Sequence, residues 1–185
     1  MARVRDISST ELPPASAAIY ERFAASYGPF RNQVAVLAHV PPAMTHLMSM
    51  LMELREAKTL PKRSLELAII AVSKLNECDY CVTHHTPFLV PEGITPAGVA
   101  NVLNYQDHPE FSEVDKLVVE YAVAAWNNPN RIRDALFTRL RAYFSEAQIV
   151  ELTLRITLCG FFNRFNQALQ IDEEEEAGAQ VAALA

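Results

Sequence analysis

The sequence predicts an all-α protein, a single-domain helical bundle, and three observations carry that reading. Apolar residues recur at helical spacing in one run after another. Proline, glycine and Ser-x-x-Gln signals punctuate those runs where helices should start or stop. No stretch alternates apolar and polar residues as a half-buried strand would. The 185 residues, 50% of them hydrophobic, suit one domain with its own core. We expect that domain to span residues 1–185.

Pro13 and Pro14 open an apolar-periodic helix over 15–27, with Gly28 and Pro29 as its stop. A second run, 32–40, ends at Pro41 and Pro42. The third helix, 42–57, carries Met44, Met48, Met50 and Met52. Methionine adapts to irregular space and could line a pocket, but core packing is its commoner use. Thr59, Leu60 and Pro61 begin a helix containing Glu66, and its residues 65–75 are apolar almost all round, which implies burial on most sides. A break near Asn76, read as an N-cap, starts another helix that runs through Cys78 to about residue 89, before Pro91, Glu92 and Gly93. Thr95 and Pro96 open a shorter helix to about 104. Ser112 caps a strong one to 126, broken by Asn127, Asn128, Pro129 and Asn130. Another helix covers 132–144, and Ser145 with Gln148 forms a capping box for the last long helix. The acidic tail, 172–185, reads as a frayed helix end or an exposed segment, with a solvated charge run as the default.

A net charge of −6 and a sequence pI near 5.4 argue against a nucleic-acid partner, since binding that polyanion needs a basic stripe. The N-terminal residues lack the apolar core of a signal peptide, and no stretch approaches 18 uninterrupted apolar residues. We therefore expect no membrane partner and a cytoplasmic location. Three cysteines, two of them spaced Cys-x-x-Cys, point to redox or metal chemistry more than to a disulfide framework. Cys159 stands apart.

The chemistry concentrates in ELAIIAVSKLNECDYCVTHH, residues 66–85. Cys78, Cys81 and His85 stand at i, i+3 and i+7, which on a helix fall along one stripe. A thiol is a nucleophile only as thiolate, and His85, one turn beyond Cys81, can take its proton. A neighbouring thiol can condense with a sulfenic acid to give a reversible disulfide. Cys81 is the preferred attacking thiol and Cys78 the resolving one, because Glu77 and Asp79 flank Cys78 with negative charge. The rival order remains open, since Cys78 lies nearer the helix N-terminus, where the dipole favours an anion. Glu66, in an otherwise apolar helix, is suited to exchange protons with His85, provided the chain breaks near Asn76. Its bland alternative is an ion pair with Lys62 or Arg63. His84 points off the stripe, as a structural or solvent-facing residue or a substitute for His85. His39, His46 and His108 read as packing or surface residues. Zinc would want four ligands in a tetrahedron, and Cys78, Cys81, His84 and His85 offer them only in awkward helical geometry. We therefore expect no metal.

Sliding the chain by 85 residues lays Glu66 on Glu151, and sets Cys78, Cys81 and His85 on Asn163, Asn166 and Gln170. This can be read as a degenerate internal repeat whose second copy keeps the helical scaffold and replaces the reactive groups with amides.

The arrangement Glu-x11-Cys-x-x-Cys-x3-His, with ECDYCVTHH and the preceding RSLELAIIAVS, resembles the alkylhydroperoxidase D-like, peroxidase-related branch of the carboxymuconolactone decarboxylase superfamily. The resemblance is specific over residues 60–103. It implies an all-α fold, often with an internal helical repeat, assembled as a homo-oligomer, a trimer or hexamer. It implies a peroxidase that needs no metal or haem, in which Glu66 and His85 relay protons to Cys81 and Cys78 closes the disulfide. The chain departs from the best-studied type in having Tyr80 where that type has a histidine between the cysteines.

The leading expectation is a thiol-dependent alkylhydroperoxidase that takes a small-molecule peroxide and is returned to the dithiol by an external dithiol or lipoyl-type reductant. A decarboxylase-like lyase acting on a small acidic lactone is the second reading, disfavoured because those decarboxylases do not depend on a Cys-x-x-Cys pair. A non-catalytic redox sensor is the third.

Overall fold

A computed structural model describes residues 2–27 and 30–183, so the stop expected at Gly28 and Pro29 lies outside the described residues. Among the described residues there are ten α-helices and no strand. They are α1 (Pro14–Ser26), α2 (Arg31–Leu37), α3 (Pro41–Ala57), α4 (Lys62–Leu75), α5 (Asp79–Leu89), α6 (Pro96–Ala100), α7 (Glu113–Asn127), α8 (Asp134–Arg141), α9 (Glu146–Leu169) and α10 (Glu175–Ala182).

Local sequence accounts for most of the ends. Ser112 and Asp115 close a capping box at the start of α7, and Ser145 and Gln148 close another at the start of α9. Each satisfies backbone N–H groups that the first turn leaves unpaired. Pro41 and Pro96 occupy first-turn positions where a missing N–H costs nothing.

The apolar faces form two cores. One gathers Leu67 and Ile70 of α4, Leu117 and Tyr121 of α7, and Leu152 and Ile156 of α9. The other joins Phe23 of α1, Val34 of α2, and Met44 and Met48 of α3 to Cys78, Tyr80 and Cys81. Met44, Met48 and Met52 are thus core residues. Burying each of these large side chains contributes about 1.5–3 kcal/mol. The helix bearing Glu66 belongs to the first core and Cys78 and Cys81 to the second, so the seam between the cores is where they meet.

Two features differ from the sequence reading. Asn76 does not cap α5. It follows α4, Glu77 takes a left-handed backbone (φ 53°), and Cys78 occupies the N-cap position. The Asn76 side chain is engaged elsewhere: it accepts from Trp126 Nε1 (2.9 Å) and donates to Asn163 Oδ1 (2.8 Å). The amide of Gln167 holds the turn by donating to the backbone oxygens of Asn76 and Glu77. The acidic tail also differs. Residues 175–182 form α10 against α5, and Glu174 is buried, because it accepts from Tyr80 Oη, from the backbone N–H of Asn32 and from His84.

α9 runs unbroken beside α4, in the same direction, and meets the start of α5. Cys159 meets Ser73, Asn163 meets Asn76 and Cys78, and Asn166 meets Cys81. The residues aligned by the 85-residue offset therefore pack against one another at the cysteines.

Candidate active site

The break between α4 and α5 turns the chain back on itself and sets α5 against the helix that precedes it. His85 Nδ1 then lies 2.7 Å from Glu66 Oε2, and the side chains are 18% and 10% exposed. The surface pairing of Glu66 with Lys62 or Arg63 does not form: Arg63 binds Asp115, and Lys62 lies 3.8 Å from Glu92. Donation from Nδ1–H to the carboxylate directs the other ring nitrogen, Nε2, to act as acceptor.

A cavity of about 420 Å³ opens between the two cores. Glu66, Cys81 and His85 line it, together with Glu151 and Arg155 of α9 and the rings of Phe30 and Phe88. Cys78 does not reach it. Cys78 instead borders a second depression, with Glu77, Asp79 and Gln167. All three cysteines are free and buried.

The two thiols of the pair hydrogen-bond each other and pull apart in acidity. The donated Cys81 hydrogen bond lowers Cys78 below the ordinary thiol range, helped by Asn163 and opposed by burial; the Asp79 charge is a small opposing effect. Its N-cap position on α5 adds a favourable helix end. Cys81, donating to Cys78 and buried, is held far above that range. Of the two thiols Cys78 is thus the more acidic, the reverse of what its flanking acids imply in the sequence. Burial pushes Cys159 up to about 12, against a hydrogen bond from Ser73.

Tyr80 does not stand in for a relay group. It lies outside the cavity, donates to Glu174 (3.1 Å), and burial together with that carboxylate holds its phenol well above the usual range. His84 is buried with each ring nitrogen facing an acceptor, the Tyr80 carbonyl and the Glu174 carboxylate, and stacks on Tyr80. It is therefore structural and cannot substitute for His85. Among the described residues no group of three or more His, Cys, Asp or Glu side chains is arranged to hold a metal ion, and no helix is long and apolar enough to cross a membrane.

Sequence reasoning did not assign roles to Arg155, Asn163, Asn166 or Glu174. The 85-residue offset had paired both asparagines with the cysteines. A charged residue within the apolar run LTLRITLCGFF is the same signal that singled out Glu66.

The profile of the Carboxymuconolactone decarboxylase family matches residues 41–124, the segment holding Glu66, Cys78, Cys81 and His85. The uncharacterized protein YnjA of Escherichia coli K12 is 30% identical over 132 residues, 70% of this chain and 72% of that one. The chain belongs to the carboxymuconolactone decarboxylase family. Among solved structures, an uncharacterized peroxidase-related protein from Ralstonia eutropha JMP134, described as an alkylhydroperoxidase AhpD core, matches with a TM-score of 0.78 at 20% identity, over 97% of this chain and 96% of that one. The debrominase Bmp8, as a cysteine-to-alanine variant in complex with 2,3,4-tribromopyrrole, matches with a TM-score of 0.78 at 17% identity over the whole of both chains. These likenesses establish the alkylhydroperoxidase D-like all-α fold. Arg155, Asn163, Asn166 and Glu174 lie beyond the segment matched by the family profile.

Proposed function

We propose that the protein is a thiol-dependent hydroperoxide reductase, and the observation that supports it is that Cys81 shares one cavity with the hydrogen-bonded His85–Glu66 pair. The cavity gives a peroxide access to Cys81 and keeps Cys78 behind it, so that Cys81 attacks and Cys78 resolves. The Cys81 proton passes to His85, whose orientation Glu66 holds. The thiolate attacks the outer peroxide oxygen, the O–O bond breaks, and a sulfenic acid and an alkoxide form; His85 returns the proton to the alkoxide. Cys78 then attacks the Cys81 sulfur, water leaves with the Cys78 proton, and an external dithiol of lipoyl type reduces the disulfide. Two thiols thereby supply the two electrons that the peroxide takes up. Assembly as a trimer or hexamer in the cytoplasm belongs to the same reading, and exposed Val150, Leu154 and Phe161 along α9 support a contact between copies.

The test is intact mass after one equivalent of an organic hydroperoxide. The reduced protein should lose about two mass units, and Cys78→Ser should gain about sixteen as a sulfenic acid. An unchanged mass in both would overturn the peroxidase. It would favour the second reading, a lyase or dehalogenase of small ring compounds, which draws on the family match and on the likeness to Bmp8.

A further inference from the structure

Arg155 sits on the face of α9 that lines the cavity, in line with Glu151 one turn before it and Cys159 one turn after. It is 7% exposed, and its Nε is, among the described residues, the only buried side-chain nitrogen or oxygen without a hydrogen-bond partner. The Glu151 carboxylate stands 3.5 Å away, close enough to attract the charge but not hydrogen-bonded to it. Of the other cations of the cavity, Arg55 donates to the Ser26 carbonyl and lies over the Tyr27 ring, Lys62 lies beside Glu92, and Lys58 is solvent-exposed. A buried guanidinium with its fork of donors unspent is a strong and directional site for a carboxylate, which it can hold through two parallel hydrogen bonds. The scaffold does not require it, since the 85-residue offset puts Ile70, fully buried, at the corresponding place in α4.

We infer that Arg155 anchors an organic carboxylate, and that the substrate of the cavity is amphiphilic, with an apolar body against Phe23, Leu54, Phe88 and Phe162 and its carboxylate on the guanidinium. A volume of about 420 Å³ lies within the range of small-molecule sites, which combine apolar walls with a few oriented polar groups. Glu66 and Glu151 line the same cavity and repel an anion, so within the cavity the buried guanidinium is the favourable seat for the carboxylate and the rest of the molecule is left for Cys81. That the bound molecule is a hydroperoxide rests on the function proposed above; the carboxylate site does not.

The experiment compares octanoate with neutral 1-octanol by titration calorimetry on the reduced protein, with Arg155→Met and Arg155→Lys alongside and thermal melts to check their folding. Octanoate should bind the parent protein at least tenfold more tightly than octanol. Arg155→Met should abolish that preference, and Arg155→Lys should keep part of it. In turnover, Arg155→Met should lower the ratio of kcat/KM for a carboxylated hydroperoxide over that for cumene hydroperoxide at least tenfold, mainly through KM. Equal binding of octanoate and octanol to the parent protein, which needs no variant to fold, overturns the inference, as does an unchanged octanoate affinity in Arg155→Met. If octanoate binds through Arg155 while no hydroperoxide oxidises the cysteines, the site stands and the peroxidase falls. If hydroperoxides react but octanoate shows no preference, the anchor alone falls.

Discussion

Glu66 and His85 lie on successive helices, 19 residues apart, and meet at 2.7 Å between Oε2 and Nδ1. The contact exists because α4 ends at Asn76 and Glu77 reverses the backbone through a left-handed residue. It fixes which imidazole nitrogen is free to move a proton.

Glu66→Gln keeps the shape of this contact and removes its charge, so it should slow the oxidation of the reduced pair by roughly 100-fold, the scale of one general acid–base contribution. Single-turnover kinetics with a hydroperoxide would read this directly. A rate within threefold of the parent would remove Glu66 from the chemistry.

The thiols should titrate in a set order. Because Cys81 donates to Cys78, the first thiolate should appear below the ordinary thiol range, the second well above it, and Cys159 only at about 12. Thiolate absorbance at neutral pH should therefore exceed that of a free cysteine and fall as the solution is acidified. Cys81→Ala removes the donor and should move this titration upward. If Cys78→Ala leaves the low titration in place, the charge rests on the other sulfur.

Glu174 accepts from Tyr80, His84 and the backbone of Asn32, and it ties α10 to the helix that carries Cys81. Glu174→Ala leaves these buried donors unpaired and should cost about 3 kcal/mol, the low end for breaking a buried ionic pair. Urea unfolding would measure it, and hydrogen exchange should quicken first in α5 and α10. A loss below about 1 kcal/mol would make the tail an ornament of the fold rather than a brace.

Gly160 on α9 is where the Trp126 ring rests, and a Cβ there would overlap the indole. Trp126 donates to Asn76, Asn76 to Asn163, and Asn163 to Ser73, which contacts Cys159. Gly160→Ala should cost about 2 kcal/mol by overpacking and loosen this chain of amides behind the cysteines. A melting temperature equal to the parent would show that the indole moves aside freely.

Helix ends and the Cys-x-x-Cys-x3-His spacing were legible in the sequence because they depend on residues three or four apart. Ser112 with Asp115 and Ser145 with Gln148 are local contacts, and the first turn of any helix supplies the N–H groups they satisfy. Asn76 was misread for the same reason: a good cap residue in the right place was taken from α5 by Trp126 and Asn163, 50 and 87 residues away. The tail was misread because a run of acids says nothing about whether one of them finds His84 and Tyr80.

The amino-acid order alone thus specified an all-α chain, most of its helix boundaries and a set of reactive groups, all consequences of backbone periodicity and short-range hydrogen bonding. Tertiary packing settled which sulfur faces the cavity, and that Arg155 is buried with its Nε unpaired. Those properties come from contacts between α9 and the α4–α5 pair, some 85–91 residues apart in the chain. Desolvation and charge pairing depend on what surrounds a group, and no local periodicity encodes that.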